Sequence, residues 1–336
     1  MNYVFEPLTN RASKAHDTPS SVQAQIILLR KRKMPTITTT IEFIKDDPKF
    51  IVGSKGCEKP YYIIPVEGGA VNPLTDKVTN MAYERHVVGV RDIREAQPAP
   101  TLERNGFILS AHKSMAIASH DSESIDRYKQ ETQELLRKVF PDAEEVVTWD
   151  FRRRLNKKTT PSQVRLDTFR FEDELHIEGP AKGAHDATLD SGPAIVQRHL
   201  TPEMRLKYLK EGAEEYRFRI VNTWRPLNQP ALQDNPLAFC DYTSVSHGDL
   251  LPCDRVYPHF VGEIFMLRHS PAQEWYWVSH QTPDEVTVMI MYDTKPGDGG
   301  ARLCPHVSVQ NPLADPESSP RESIETRSIV VSRVKA

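Results

Sequence analysis

The sequence predicts a mainly β protein with flanking helices, its core built as a jelly roll. Three observations carry that expectation. Strand-like runs follow one another from Val146 onward, one long amphipathic stretch stands out as a helix, and Gly/Pro-rich turns separate the late runs. The stretch from Glu285 to Arg327 shows all of this at its clearest. Glu285 to Asp293 is apolar and β-prone, Pro296 to Gly300 turns the chain, and Ala301 to Val309 reads as a further strand. After a Pro-rich loop, Arg321 to Val331 alternates, so Arg321 and Ser323 share one face.

Composition sets the outer limits. The 336 residues are enough to bury a large core, as one β-rich domain with additions or as two domains. Lys and Arg number 43 against 46 Asp and Glu, so nothing asks for nucleic acid or an anionic membrane. The apolar run at Ile26 to Leu29 is too short to span a bilayer and is followed by Arg30-Lys31-Arg32-Lys33. The reading is a soluble, cytoplasmic protein with no membrane span. Cys57, Cys240, Cys253 and Cys304 lack paired spacing, which points to reduced thiols rather than a zinc site.

Taken in order, residues 1–35 are polar and charged and read as an N-terminal arm. Residues 36–145 supply accessory strands and a buttressing helix, and 146–336 form the core. Strands are expected at Thr36 to Phe43, Tyr61 to Ile64 and His86 to Asp92. Ser122 to Phe140 is the helix: Ser122 or Ser124 caps it, Ile125, Tyr128, Thr132, Leu135, Leu136 and Val139 form its stripe, and Pro141 ends it. Val146 to Phe151 is a strand, and the Arg152-Arg153-Arg154 that follows reads as a solvated face. Residues 169–183 read as a charged loop leading to Ala184-His185-Asp186-Ala187. Thr201-Pro202 starts a second helix that stops at Gly212. Tyr216 to Pro226 alternates, with Asn222, Trp224 and Pro226 on one face and Arg217, Arg219, Val221, Thr223 and Arg225 on the other. Two more strands follow, at Val261 to Leu267 and Trp275 to Ser279.

In this order, several short motifs carry a resemblance. They are Val90-Arg91-Asp92 with Gly106-Phe107, Asn222-Thr223-Trp224-Arg225-Pro226-Leu227, Cys240-Asp241, Tyr292-Asp293, Pro305-His306 and Pro320-Arg321-Glu322-Ser323-Ile324-Glu325. From about residue 85 to 335 the chain resembles the fungal hydroxylase/desaturase family of secondary-metabolite clusters, related to the cephamycin 7α-methoxylase component. The resemblance implies a double-stranded β-helix of the cupin-like kind, with non-haem Fe(II) and 2-oxoglutarate. It further implies oxidation of a small hydrophobic natural product such as a meroterpenoid, and in some similar proteins a pair of unlike subunits.

It also assigns roles. His306 falls at the late iron-binding position, and Arg321 with Ser323 at the holder of the distal carboxylate of 2-oxoglutarate. A planar guanidinium suits that task because it pairs with a carboxylate bidentately. Arg327 and Arg302 are next in line, and Arg302 could instead meet Asp293. The early pair departs from the pattern. The family's His-x-Asp puts both ligands on one face of an extended segment, whereas His185 and Asp186 are adjacent: aligning on His185 leaves Ala187 at the carboxylate position, and aligning on Asp186 leaves Ala184 at the histidine position.

Two readings therefore stand beside a third, an unrelated β-sandwich binding protein. In the first, the chain holds no metal and is the partner of an iron-bearing homologue in a heterodimer, Fe(II) and 2-oxoglutarate belonging to the complex. In the second, it is a self-sufficient hydroxylase in which a bulge lets His185 and Asp186 join His306 on one metal.

Overall fold

The computed structural model describes residues 36–50, 56–64, 76–117, 119–156, 173–179, 183–187, 191–210 and 215–334. The chain divides into two units, Met1–Lys33 and Met34–Ala336, and every described residue belongs to the second. The expected arm at 1–35 lies outside the described residues, as do 169–172 and 180–182 of the expected loop and the Gly212 stop.

Fifteen strands are described: β1 (Ile37–Ile44), β2 (Tyr61–Ile63), β3 (Tyr83–Asp92), β4 (Phe107–Ala111), β5 (Ala143–Leu155), β6 (Ile177–Glu178), β7 (His185–Ala187), β8 (Tyr216–Pro226), β9 (Leu237–Cys240), β10 (Leu250–Val256), β11 (Val261–Leu267), β12 (Trp275–Trp277), β13 (Glu285–Asp293), β14 (His306–Ser308) and β15 (Glu322–Arg333). The helices are α1 (Leu102–Asn105), α2 (Ser122–Val139), α3 (Gly192–His199) and α4 (Pro202–Tyr208). No helix among the described residues is long and apolar enough to cross a membrane.

Two sheets face each other. One has nine strands in the order β1-β3-β12-β9-β14-β7-β11-β10-β2, the other six in the order β4-β13-β8-β15-β5-β6. Period-two alternation sorts the side chains between faces. On β8, Tyr216, Phe218, Ile220 and Trp224 enter the core between the sheets, together with Met289 and Met291 of β13 and Ile329 and Val331 of β15. The other face of the six-stranded sheet takes Val221, Val288, Ile290 and Val330 against Leu135 and Leu136 of α2. With a core inside and a helix outside, β13 is buried at all nine positions. That is why its sequence reads as a continuous apolar run rather than an alternating one.

The nine-stranded sheet curls until the Ala184 amide, just before β7, donates to Glu42 O of β1 at 2.9 Å. Its face away from the six-stranded sheet gathers a second core from Ile37, Ile41, Phe43, Val90, Trp275 and Trp277. Burying side chains of this size contributes about 1.5–3 kcal/mol each. The early strands are thus part of the two sheets: β1, β2 and β3 belong to the first and β4 to the second.

Several local expectations need correcting. Asp121, not Ser122 or Ser124, caps α2: its carboxylate accepts from the Ser124 amide at 2.9 Å. Ser124 faces inward instead and is 2% exposed. The strand expected over 301–309 shrinks to His306–Ser308, because Pro305 has no N–H to offer a ladder. Helix α3 was not foreseen, since a Gly-Pro start hides its pattern. Helix α4 is capped by Thr201 as expected and ends at Tyr208.

Candidate active site

Strands β7 and β14 lie side by side, with His306 directly opposite His185. The two rings are 4.8 Å apart. In each, Nδ1 lies 2.9 Å from the carbonyl two residues earlier, Gly183 O for His185 and Cys304 O for His306. That contact assigns the proton to Nδ1 and leaves Nε2 as a lone pair, the state in which an imidazole binds metal. Burial keeps both rings neutral. It pushes His185 down to about 3, with His306 adding to the effect, and lowers His306 as well.

Asp186 does not join them. It is 1% exposed, and its carboxylate accepts the backbone N–H of Cys304. The ladder of β7 against β11 runs in regular register, Met266 to His185, Phe265 to Asp186 and Ile264 to Ala187. With no bulge, neighbouring side chains point to opposite faces. Burial raises the Cys304 thiol well above its usual range and Asp186 adds to this, so it remains a thiol. Among the described residues, no three His, Cys, Asp or Glu side chains converge at metal-ligand spacing. The described residues thus bring two imidazoles together and turn the Asp186 carboxylate away from them.

Across from the histidines runs the inner face of β15. Glu325 accepts from Asn222 Nδ2 at 3.1 Å and Arg327 Nη2 at 3.2 Å, with Arg154 Nε at 3.7 Å. Burial pushes the Glu325 carboxyl up, but Arg327, Arg154 and the two imidazoles outweigh it and hold it at about 2. The network continues through Arg327 to Asp150 (2.7 Å), Arg152 to Asp150 (3.0 Å) and Glu178 (3.4 Å), and Arg154 to Glu178 (2.9 Å). Arg152, Arg154 and Arg327 are thereby matched by Asp150, Glu178 and Glu325. The three-arginine run is not a solvated face: alternation turns Arg152 and Arg154 inward to these acids, and Arg153 alone turns out to Glu322.

Arg321 is different. It is 2% exposed and has no carboxylate within ion-pair distance among the described residues. Its Nη1 donates to Ser308 Oγ (2.9 Å) and Asn235 O (3.3 Å). Its Nε and the hydroxyl of the fully buried Ser323 have no hydrogen-bond partner among the described residues. Burial and nearby Arg154 lower Arg321 to about 10, which leaves it charged at neutral pH. A buried cation with an orphaned N–H beside an orphaned hydroxyl fits a carboxylate, the group that a guanidinium and a hydroxyl hold together.

The remaining assignments sort cleanly. Arg327 faces the interior but is already paired. Arg302 is exposed, and Asp293 is held by Arg217 (2.8 Å) and Arg219 (3.6 Å) instead. Trp224 packs in the main core. Sequence reasoning passed over Glu325 and Arg154, although extending the alternation from Arg321 through 323, 325 and 327 marks Glu325. It also passed over His199 of α3, which stacks on Trp149 at 4.9 Å and is pushed down to about 4 by burial and then Arg198.

Comparison with known proteins places this site in context. The family described as the oxidoreductase/YMDC permease-like domain matches residues 49–331. The chain belongs to this oxidoreductase family. Relatives carry the names expected from the motifs. Hydroxylase/desaturase efuI of Hormonema carpetanum is 28% identical over 88% of this chain and 95% of its own length. Hydroxylase/desaturase CTB9 of Cercospora beticola is 27% identical over 88% and 97%. The Fe(II)/2-oxoglutarate-dependent dioxygenase nvfI of Aspergillus novofumigatus is 36% identical over 34% of this chain and 41% of its own. The solved iron and alpha-ketoglutarate-dependent endoperoxidase NvfI covers 89% of this chain and 99% of its own, with a TM-score of 0.70 at 21% identity. That likeness establishes the fold, and the expected jelly-roll core is borne out.

Proposed function

We propose that this chain is a subunit of an Fe(II)/2-oxoglutarate-dependent oxygenase, a hydroxylase/desaturase acting on a small hydrophobic fungal natural product. Within it, the chain is the metal-poor partner of an iron-bearing homologue. The names of the relatives support the first statement. One observation carries the second: Asp186 accepts from the Cys304 amide, leaving His185 and His306 without a third donor among the described residues. The regular register of β7 favours this reading over a self-sufficient enzyme with a bulged His185-Asp186 pair.

When bound, 2-oxoglutarate supplies the electrons for oxygen activation in such enzymes. In this chain Arg321 and Ser323 would hold its distal carboxylate, and the neutral, carbonyl-anchored imidazoles would line the far end. The matched ions on β5, β6 and β15 keep the interior rigid, so the barrel serves as a scaffold for the pair.

The test is turnover of a substrate from the corresponding biosynthetic cluster with Fe(II) and 2-oxoglutarate. The chain alone should be inactive, and the chain co-expressed with an iron-bearing homologue active. Alanine at His185, Asp186 or His306 should leave turnover by the pair nearly intact. Ala187→Asp, which restores the His-x-Asp spacing, should raise the iron content of the isolated chain. Robust turnover by the isolated wild-type chain would sink the proposal.

A further inference from the structure

In an intact site of this kind, 2-oxoglutarate is gripped at both ends. Its 2-oxo acid group chelates the metal, and its distal carboxylate meets the arginine. Here the two ends have parted company. The arginine end keeps its unmet donors, Arg321 Nε and Ser323 Oγ, both on side chains more than nine-tenths buried. Among the described residues, the metal end lacks a set of three donors. Facing it stands Glu325, an ionised carboxylate already answered by Arg327, Arg154 and Asn222. A second carboxylate arriving there meets like charge and no cation to chelate.

We propose that Arg321 and Ser323 form a carboxylate receptor that works without metal and does not distinguish a 2-oxo acid from the plain acid of the same length. The inference rests on the reading of this chain as metal-poor. The ligand class is a short aliphatic dicarboxylate: 2-oxoglutarate, glutarate, or the shorter succinate. Recognition comes from one carboxylate alone, because only one end of the ligand finds donors. In the complex, this subunit then responds to cosubstrate and to the dicarboxylate coproduct alike.

The experiment is isothermal titration calorimetry of the full chain with 2-oxoglutarate and with glutarate, each in EDTA and in Mn²⁺. The two acids should bind within about threefold of each other, with less than about threefold change between EDTA and Mn²⁺. Arg321→Leu should weaken both at least about tenfold, and Ser323→Ala, which removes a single buried oxygen, should weaken both by a smaller factor. Preference for 2-oxoglutarate by more than about 30-fold in Mn²⁺ would overturn the inference, as would absence of binding by either acid. So would binding that survives both substitutions. Mn²⁺-dependent binding in a chain that is inactive alone removes this inference and leaves the partner reading standing. Turnover by the isolated chain removes the partner reading.

Discussion

Arg321 and Arg327 lie six residues apart on one segment, and their surroundings make opposite demands. Arg327 is ion-paired to Asp150 and Glu325, so Arg327→Met takes away one partner from each of two buried carboxylates, leaving Arg152 with Asp150 and Arg154 with Glu325. Because Arg327 is about one-third exposed and both carboxylates keep a second cation, the loss in urea unfolding should be about 1–3 kcal/mol, less than for an isolated buried pair. Among the described residues Arg321 has no counter-ion and keeps an orphaned N–H, so Arg321→Leu should leave unfolding stability unchanged or raise it. The same change should weaken 2-oxoglutarate by about 1.5–3 kcal/mol, the range for a hydrogen bond to a charged group. Equal destabilisation by the two substitutions would contradict this division of labour. At this scale the sequence was legible wherever alternation alone decides: His185 and Asp186 turn apart, and Arg321 and Ser323 turn together. Glu325 and Arg154 were not legible, because what makes them matter is the sheet facing them. No local pattern records that sheet.

Helix α2 is the element most plainly written in the chain, and its one error is instructive. Three polar residues, Asp121, Ser122 and Ser124, compete for one cap, and burial of Ser124 settles the choice for Asp121. Asp121→Ala should cost about 1 kcal/mol and Ser122→Ala close to nothing, measured by thermal or urea unfolding. Helix α3 is held differently, through the stack of His199 on Trp149. Its folded-state pKa is depressed from 6.5 to about 4, so the neutral ring is the form the fold prefers. The contribution is complete above pH 6.5 and drains away as pH falls toward 4. Melting temperature should therefore drop across that window, and His199→Gln should flatten the drop. A profile unchanged by the substitution would exclude the stack as its source. Neither α3 nor the brevity of β14 could be read in advance. One begins at a Gly-Pro pair and the other is cut short by Pro305, and both boundaries are fixed by neighbours distant in sequence.

Across the whole molecule, the late strands announced a jelly roll, and the match to a solved endoperoxidase over 89% of the chain bears that out. The curl of the nine-stranded sheet was not foreseeable. It depends on β1 reaching the approach to β7, where the Ala184 amide meets Glu42 O, a contact that periodicity within either segment does not encode. The charge pattern became meaningful only with β5, β6 and β15 side by side in one sheet: Asp150, Arg152, Arg154, Glu178, Glu325 and Arg327 come from these three strands and sum to zero.

The position of β15 has a consequence for how the chain is made. It is the last described strand in sequence, yet in its sheet it sits between β8 and β5. A ribosome working from the N-terminus therefore releases two strands whose shared neighbour is still unsynthesised. Until β15 arrives, each presents an unpaired row of backbone amides and carbonyls, the surface on which stray strands add. The six-stranded sheet cannot close before β15 has been made, so this is a fold completed by insertion rather than by growth at an edge. Its vulnerable interval is the one between the making of β8 and the arrival of β15, when chaperone protection matters most.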